Sequence, residues 1–276
     1  LREGEIINVL IAADLPEGIH DVEIYRRTDP LGGISRFFGL ILENDGNLLP
    51  CPPLVGPRLH FYGDSITAGG VVMAFGHEGE SDEAFALDNY RDCLTNATMS
   101  FAGITSKRLE SSSEIVGIGG LAVLDHTGWW QGPEECLGWE TTWDKVRPWK
   151  GDLEEWDFTS QAPDLIIVAL GQNCAKDGYP ESPDHQRKWK DAYLKVLTSL
   201  RAKFGSPVPL LLGTSLMNHD PIWDDLIQQV AEELGHGAHT IRYKRNGCGT
   251  PGHLRVRESE EMADELVPLI QDILHR

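Results

Sequence analysis

The sequence predicts an α/β fold: a five-stranded, mostly parallel sheet between two layers of helices, preceded by a short strand-rich segment. Three observations carry this. From residue 57 onward, short apolar runs alternate with longer stretches of helical period, the pattern of a three-layer α/β/α unit. Before residue 57 only strand-like runs and turn residues occur. A proline-rich stretch, residues 50–57, separates the two textures. The chain therefore divides into a strand-rich piece, 1–56, and a main domain, 57–276.

In chain order, strand-like runs occupy 5–11, 20–28 and 36–43. Turn chemistry divides them at Pro16-Glu17-Gly18, Asp29-Pro30-Leu31-Gly32-Gly33 and Asn44-Asp45-Gly46-Asn47. Three strands are too few for an independent sandwich, so this piece is expected to pack on the rest of the chain or to need strands before Leu1. In the main domain, apolar strands are expected at 59–63, 114–118, 165–170, 209–214 and 240–243. Helices are expected at 99–110, 185–204, 221–234 and 258–274. The last places Met262, Leu266, Leu269, Ile270 and Ile273 on one face. Two connections, 71–98 and 124–160, show no regular pattern. The second holds Trp129, Trp130, Trp139, Trp143, Trp149 and Trp156, six of the eight tryptophans, which argues for a packed or functional loop.

Composition narrows the partners. With 43 acidic against 24 basic side chains, the net charge is −19. Such a surface repels phosphate backbones and anionic lipid, so neither nucleic acid nor membrane is expected as a partner, while neutral sugars remain open. No run approaches the roughly 18 apolar residues of a membrane span. The chain begins at Leu1 without Met or a signal-like stretch, and is expected to be a processed product, with an extracellular location favoured over a cytoplasmic one. Five cysteines show no metal-binding spacing, and their odd number leaves at least one free thiol. His236 and His239 read as solvated loop residues, so no metal or other cofactor is expected.

In open parallel sheets chemistry gathers beyond the carboxyl ends of the strands. There the sequence places the parts of an acyl-transfer site. Gly63-Asp64-Ser65 ends the first strand and offers Ser65 as nucleophile. Gly117-Ile118-Gly119-Gly120 ends the second, where a backbone N–H can approach a reacting carbonyl. Gly171-Gln172-Asn173 ends the third and offers an amide donor. His253 lies in a glycine-rich loop, Gly247–Gly252, before the last helix.

Serine, glycine, asparagine and histidine in that order resemble the SGNH (GDSL-type) hydrolases, over roughly residues 57–275. By this resemblance Ser65 is the nucleophile and His253 the base. The Ser65 N–H, Gly120 N–H and Asn173 side chain form the oxyanion hole, with Gly117 as the alternative glycine. Within that superfamily the 15–28 run, followed by Phe38-Gly39-Leu40, resembles the β-sandwich that precedes the catalytic domain in carbohydrate esterase family 2. This implies a partial jelly roll over 1–56, a carbohydrate O-acetyl esterase, and an acetylated polysaccharide or oligosaccharide as substrate. Trp129 and Trp130 are expected to line the sugar site.

Two positions depart from the family pattern. Thr250 stands where an acid commonly precedes the histidine by three residues. A Ser65–His253 dyad is expected in consequence, with Thr250 or a main-chain oxygen orienting the ring, and Asp220 as a weaker substitute. Cys174 replaces the final Asp of Gly-x-Asn-Asp and is expected to be a small buried thiol. A rival reading follows from both departures: a carbohydrate-binding protein that kept the fold and lost the chemistry. An esterase for other short-chain acyl groups is the third.

Overall fold

The computed structural model describes residues 6–32, 35–43, 46–51, 55–85, 91–132, 134–158, 162–174, 182–204 and 208–275. Among them the strands are β1 (Arg58–Gly63), β2 (Ser112–Gly117), β3 (Lys145–Trp149), β4 (Asp152–Glu155), β5 (Leu165–Ala169), β6 (Leu210–Gly213) and β7 (Ala238–Thr240). The α-helices are α1 (Arg91–Leu94), α2 (Phe101–Arg108), α3 (Trp139–Thr142), α4 (Pro183–Lys203), α5 (Ile222–Leu234) and α6 (Val256–Leu274). Five strands form one sheet in the order β2-β1-β5-β6-β7, and every neighbouring pair is parallel.

The strand period of two sorts the apolar residues into two cores, one on each face of the sheet. Tyr62, Ile166, Val168, Leu210 and Leu212 face α4, α5 and the tryptophan-rich region. Leu59, Phe61, Leu165, Ile167 and Leu211 face α2 and α6. Helix α6 buries Met262, Leu266, Ile270 and Ile273, with Leu269 partly buried, the face read from its period. The three-layer α/β/α arrangement is therefore present, and it collects the carboxyl ends of all five strands at one edge.

Several parts of the chain differ from expectation. The last sheet strand pairs at 238–240 rather than 240–243, because the partner β6 ends at Gly213 and the register runs Leu210↔Ala238 to Leu212↔Thr240. Ile241 and Tyr243 still pack on the core beside α6. The 124–160 connection, read as irregular, contains α3 and the antiparallel β3–β4 hairpin.

The strand-rich reading of the N-terminal piece is not confirmed: among the described residues before Arg58 there is one 3-10 turn, Pro30–Gly32, and no strand. Extended conformation needs a neighbour to become a ladder, and none of the three runs meets one. Their large apolar side chains are consequently exposed, including Ile6, Leu10, Ile24, Phe37, Phe38 and Ile41. The turn residues Gly33, Asn44 and Asp45 and the linker residues 52–54 lie outside the described residues.

Candidate active site

Ser65 stands two residues beyond the end of β1, almost buried. No helix follows it. Residues 65–73 form successive turns, closed by Ala68 N–H donating to Asp64 O at 3.0 Å and Gly70 N–H donating to Ser65 O at 2.7 Å. Gly70 allows a close approach: a β-carbon there would lie 3.3 Å from Ser65 Cβ and 3.4 Å from His253 Cδ2. Next to it Val71, buried and β-branched, is held at φ 61°, a left-handed conformation that costs about 1–3 kcal/mol and clusters at functional sites.

The partner of Ser65 arrives from 188 residues further along the chain. His253, three residues before α6, places Nε2 2.8 Å from Ser65 Oγ. Behind the ring, Nδ1–H donates to a carboxylate oxygen of Asp82, whose other oxygen accepts the His253 backbone N–H at 3.1 Å. The orienting group is thus Asp82, on the irregular connection after the serine, and not Thr250, a main-chain oxygen or Asp220. Thr250 is buried, donates through Oγ1 to Glu80 O at 3.5 Å, and pairs with Met217 to fix the histidine loop. Asp220 accepts the Ile222 N–H at 3.0 Å at the start of α5. Desolvation works against ionisation of Asp82. The hydrogen bond from His253, the charge on that ring and the Arg255 guanidinium outweigh it and hold the carboxyl at about 2.

Two buried charged side chains at the start of α6 hold this acid in place, and the sequence reading missed both. Arg255, fully buried, donates to Asp82 Oδ1 at 3.3 Å, to Glu80 O at 3.3 Å and to the carbonyl of His253. Glu258, at the third helical position, accepts the Arg255 N–H at 2.6 Å and the Gly79 N–H at 2.7 Å. The first contact is half of a capping box; the second ties the acid's loop to the base's helix. A Glu three residues into the helix was the signal available.

The oxyanion side is built from the ends of β1, β2 and β5. Asp64, wholly buried, accepts Ile66 N–H at 2.9 Å, Gln172 Nε2 at 3.0 Å and Asn173 Nδ2 at 2.9 Å. Burial pushes its carboxyl up to about 6, against the pull of the Ile66 N–H, the His253 charge and the Gln172 amide. Gln172 continues the network by accepting from Ser215 Oγ at 2.9 Å, which links β5 to the residues after β6. The second Asn173 amide hydrogen points at Leu121 O, 3.1 Å away, and is the one available to be drawn to an oxyanion. The backbone N–H groups of Ser65 and Gly120 have no acceptor among the described residues. Gly120 has φ +76°, and a β-carbon there would lie 2.9 Å from Trp130 N. The alternative, Gly117, is the last residue of β2 and packs against Ala68 N.

The remaining candidates separate cleanly. Trp129 is 56% exposed, and its backbone N–H donates to Gly120 O at 2.8 Å, which puts the residue beside the oxyanion turn. Trp130 is buried, donates to Leu137 O at 3.0 Å and meets Trp149 edge-on, which removes it from any sugar platform. Trp139 is buried, and Trp143, Trp149 and Trp156 pack against the same core. Cys174 is fully buried; its Sγ accepts the Val123 N–H at 3.2 Å, and burial pushes the thiol up. Among the described residues no group of three His, Cys, Asp or Glu side chains could hold a metal ion.

No protein-family model matches the chain. It is 27% identical over 215 residues to the cellulase/esterase CelE of Acetivibrio thermocellus, covering 75% of this chain and 24% of that one. It thus spans about a quarter of that relative's length. It is 26% identical over 263 residues to an acetylxylan esterase/glucomannan deacetylase of Cellvibrio japonicus, covering 93% and 68% of the two chains. Among solved structures, a family two carbohydrate esterase from Clostridium thermocellum in complex with cellohexaose superposes with a TM-score of 0.65. It is 20% identical, with 84% of this chain and 69% of that chain covered. Motif order, sequence relatives and fold agree in likening this chain to the SGNH-type hydrolases of carbohydrate esterase family 2.

Proposed function

We propose that the protein is a carbohydrate O-acetyl esterase working through a Ser65–His253–Asp82 triad. The observation that carries this is the single line of contacts from Ser65 Oγ through both nitrogens of His253 to the Asp82 carboxylate. With Nδ1–H given to Asp82, Nε2 is left as an acceptor and takes the Ser65 hydroxyl proton as Oγ attacks the acetyl carbonyl. Ser65 N–H, Gly120 N–H and Asn173 Nδ2 receive the developing oxyanion. Collapse breaks the ester bond, and the proton on Nε2 passes to the departing sugar oxygen. Water, deprotonated by the same nitrogen, then releases acetate from Ser65.

The names borne by the relatives and the exposed Trp129 beside Gly120 support a sugar as the alcohol. An extracellular location fits such a substrate. The two features that favoured a non-catalytic binding protein lose their weight: Asp82 stands where Thr250 left a gap, and Cys174 is part of the packing.

The test is acetate release from acetylated xylan and glucomannan by the wild type and by Ser65→Ala, together with labelling by a fluorophosphonate. Release and labelling are both expected only in the wild type. Sugar binding without either would sink the esterase reading. Equal turnover of propionyl and butyryl esters of simple alcohols would move the substrate away from acetylated sugar.

A further inference from the structure

We infer that Asp29 is a positioning residue of this site, acting on the oxyanion turn from the N-terminal piece of the chain. The inference rests on the esterase reading above. Asp29 Oδ2 accepts the Gly119 N–H at 2.8 Å across 90 residues of sequence, while Oδ1 accepts the Leu31 N–H of its own turn at 3.1 Å. One carboxylate therefore joins the 3-10 turn Pro30–Gly32 to the residues just beyond β2. The contact is close to the chemistry. The point where Gly119 would carry a β-carbon lies 2.9 Å from Asp29 Oδ2 and 3.8 Å from Ser65 Cβ, so acid and nucleophile flank the same glycine.

The turn needs such a brace. Gly117-Ile118-Gly119-Gly120 holds three glycines in four residues, and glycine has the largest backbone freedom to lose. An oxyanion donor accelerates acyl transfer only when it is aimed before the charge develops. Gly120 N–H is the free donor of this turn, and Asp29 fixes the peptide immediately before it. The bracing segment is itself anchored: Arg27 O accepts the Ala97 N–H at 2.9 Å, and Arg27 Nη1 meets Met73 Sδ at 3.6 Å. Most of the described residues on either side of it, from 6 to 51, are exposed. The stretch around Asp29 is thus tied to the catalytic domain through Ala97, Met73 and this turn.

The experiment compares wild type, Asp29→Ala and Asp29→Asn on 4-nitrophenyl acetate and on an acetylated xylo-oligosaccharide, with melting temperatures for all three. Asp29→Ala is expected to lower kcat about 10- to 100-fold on both esters with little change in KM, less than the loss on deleting a donor outright. Asp29→Asn keeps an acceptor oxygen and is expected within about threefold of wild type, with both variants melting near the wild type. Wild-type kcat in Asp29→Ala overturns the assignment. So does a loss confined to KM for the sugar ester, which would make Asp29 a contact for a sugar hydroxyl, or a loss in Asp29→Asn equal to that in Asp29→Ala. A wild type silent on both esters is a different failure: it removes the esterase reading, and this inference with it.

Discussion

Asp82 and His253 stand 171 residues apart in the chain, yet the Asp82 carboxylate takes the Nδ1–H of the His253 ring. Held at about 2, that carboxyl is ionised at any working pH, and in the proposed mechanism it stabilises the imidazolium that forms when Ser65 gives up its proton. Asp82→Asn presents the ring with an amide and favours the wrong tautomer. Its kcat on an acetyl ester is expected to fall about 1,000- to 10,000-fold at neutral pH. A loss under tenfold would return the site to a serine–histidine dyad.

Arg255 is buried against Asp82, Glu80 O and the His253 carbonyl, and Glu258 bridges two backbone N–H groups. Arg255→Met leaves part of this polar cluster unpaired and is expected to cost about 3 kcal/mol in urea unfolding, with a clear fall in kcat. Glu258→Gln keeps one acceptor oxygen of two and is expected to cost about 1–2 kcal/mol. Unchanged midpoints in both variants would show that the acid's loop is held by other contacts.

His60, on β1 at the opposite end of the strand from Ser65, is buried with no hydrogen bond to either ring nitrogen; the Glu114 carboxylate is 3.7 Å away. Burial, then the nearby Arg58 charge, lowers its pKa from 6.5 to about 4. Below pH 6.5 the unfolded chain takes up a proton that the folded chain refuses, so stability falls with pH until about 4, where both states bind it. The loss over that window is roughly 3 kcal/mol. His60→Leu is expected to flatten this part of the stability–pH curve in urea titrations between pH 7 and 4; parallel curves for the two proteins would contradict it.

The cysteines divide by accessibility. Cys51, Cys93 and Cys248 are exposed, whereas Cys136 and Cys174 are buried and all five are free thiols. Iodoacetamide on the native protein, read by peptide mass spectrometry, is expected to label the first three and spare the last two. Turnover should be retained, since no thiol takes part in the chemistry. Rapid native labelling of Cys174 would revive it as a reactive group.

Much of the site was legible because its residues sit at strand ends, where an apolar run stops at a chemically distinct residue. Ser65 and Asn173 could each be placed this way, and His253 by its glycine-rich loop before the last helix. Asp82 could not: it lies on a loop with Glu78, Glu80 and Glu83 close by, and only the folded position of His253 selects one acid among them. The β3–β4 hairpin was hidden by Pro148 within the first strand, although Lys150-Gly151 is a plausible two-residue turn and Gly151 has φ +83°. The N-terminal runs mislead for the opposite reason. Their alternation describes a strand's local shape, while a ladder depends on partners that local pattern does not supply.

Ser65 precedes His253 by 188 residues, and Arg255 and Glu258, which steady Asp82, follow directly after that histidine. A ribosome therefore delivers Ser65, its turn and most of the sheet long before His253 emerges. Because α6 closes one face of the sheet, its docking and the arrival of the base are one event. Ser65 therefore lacks its partner histidine until α6 has docked.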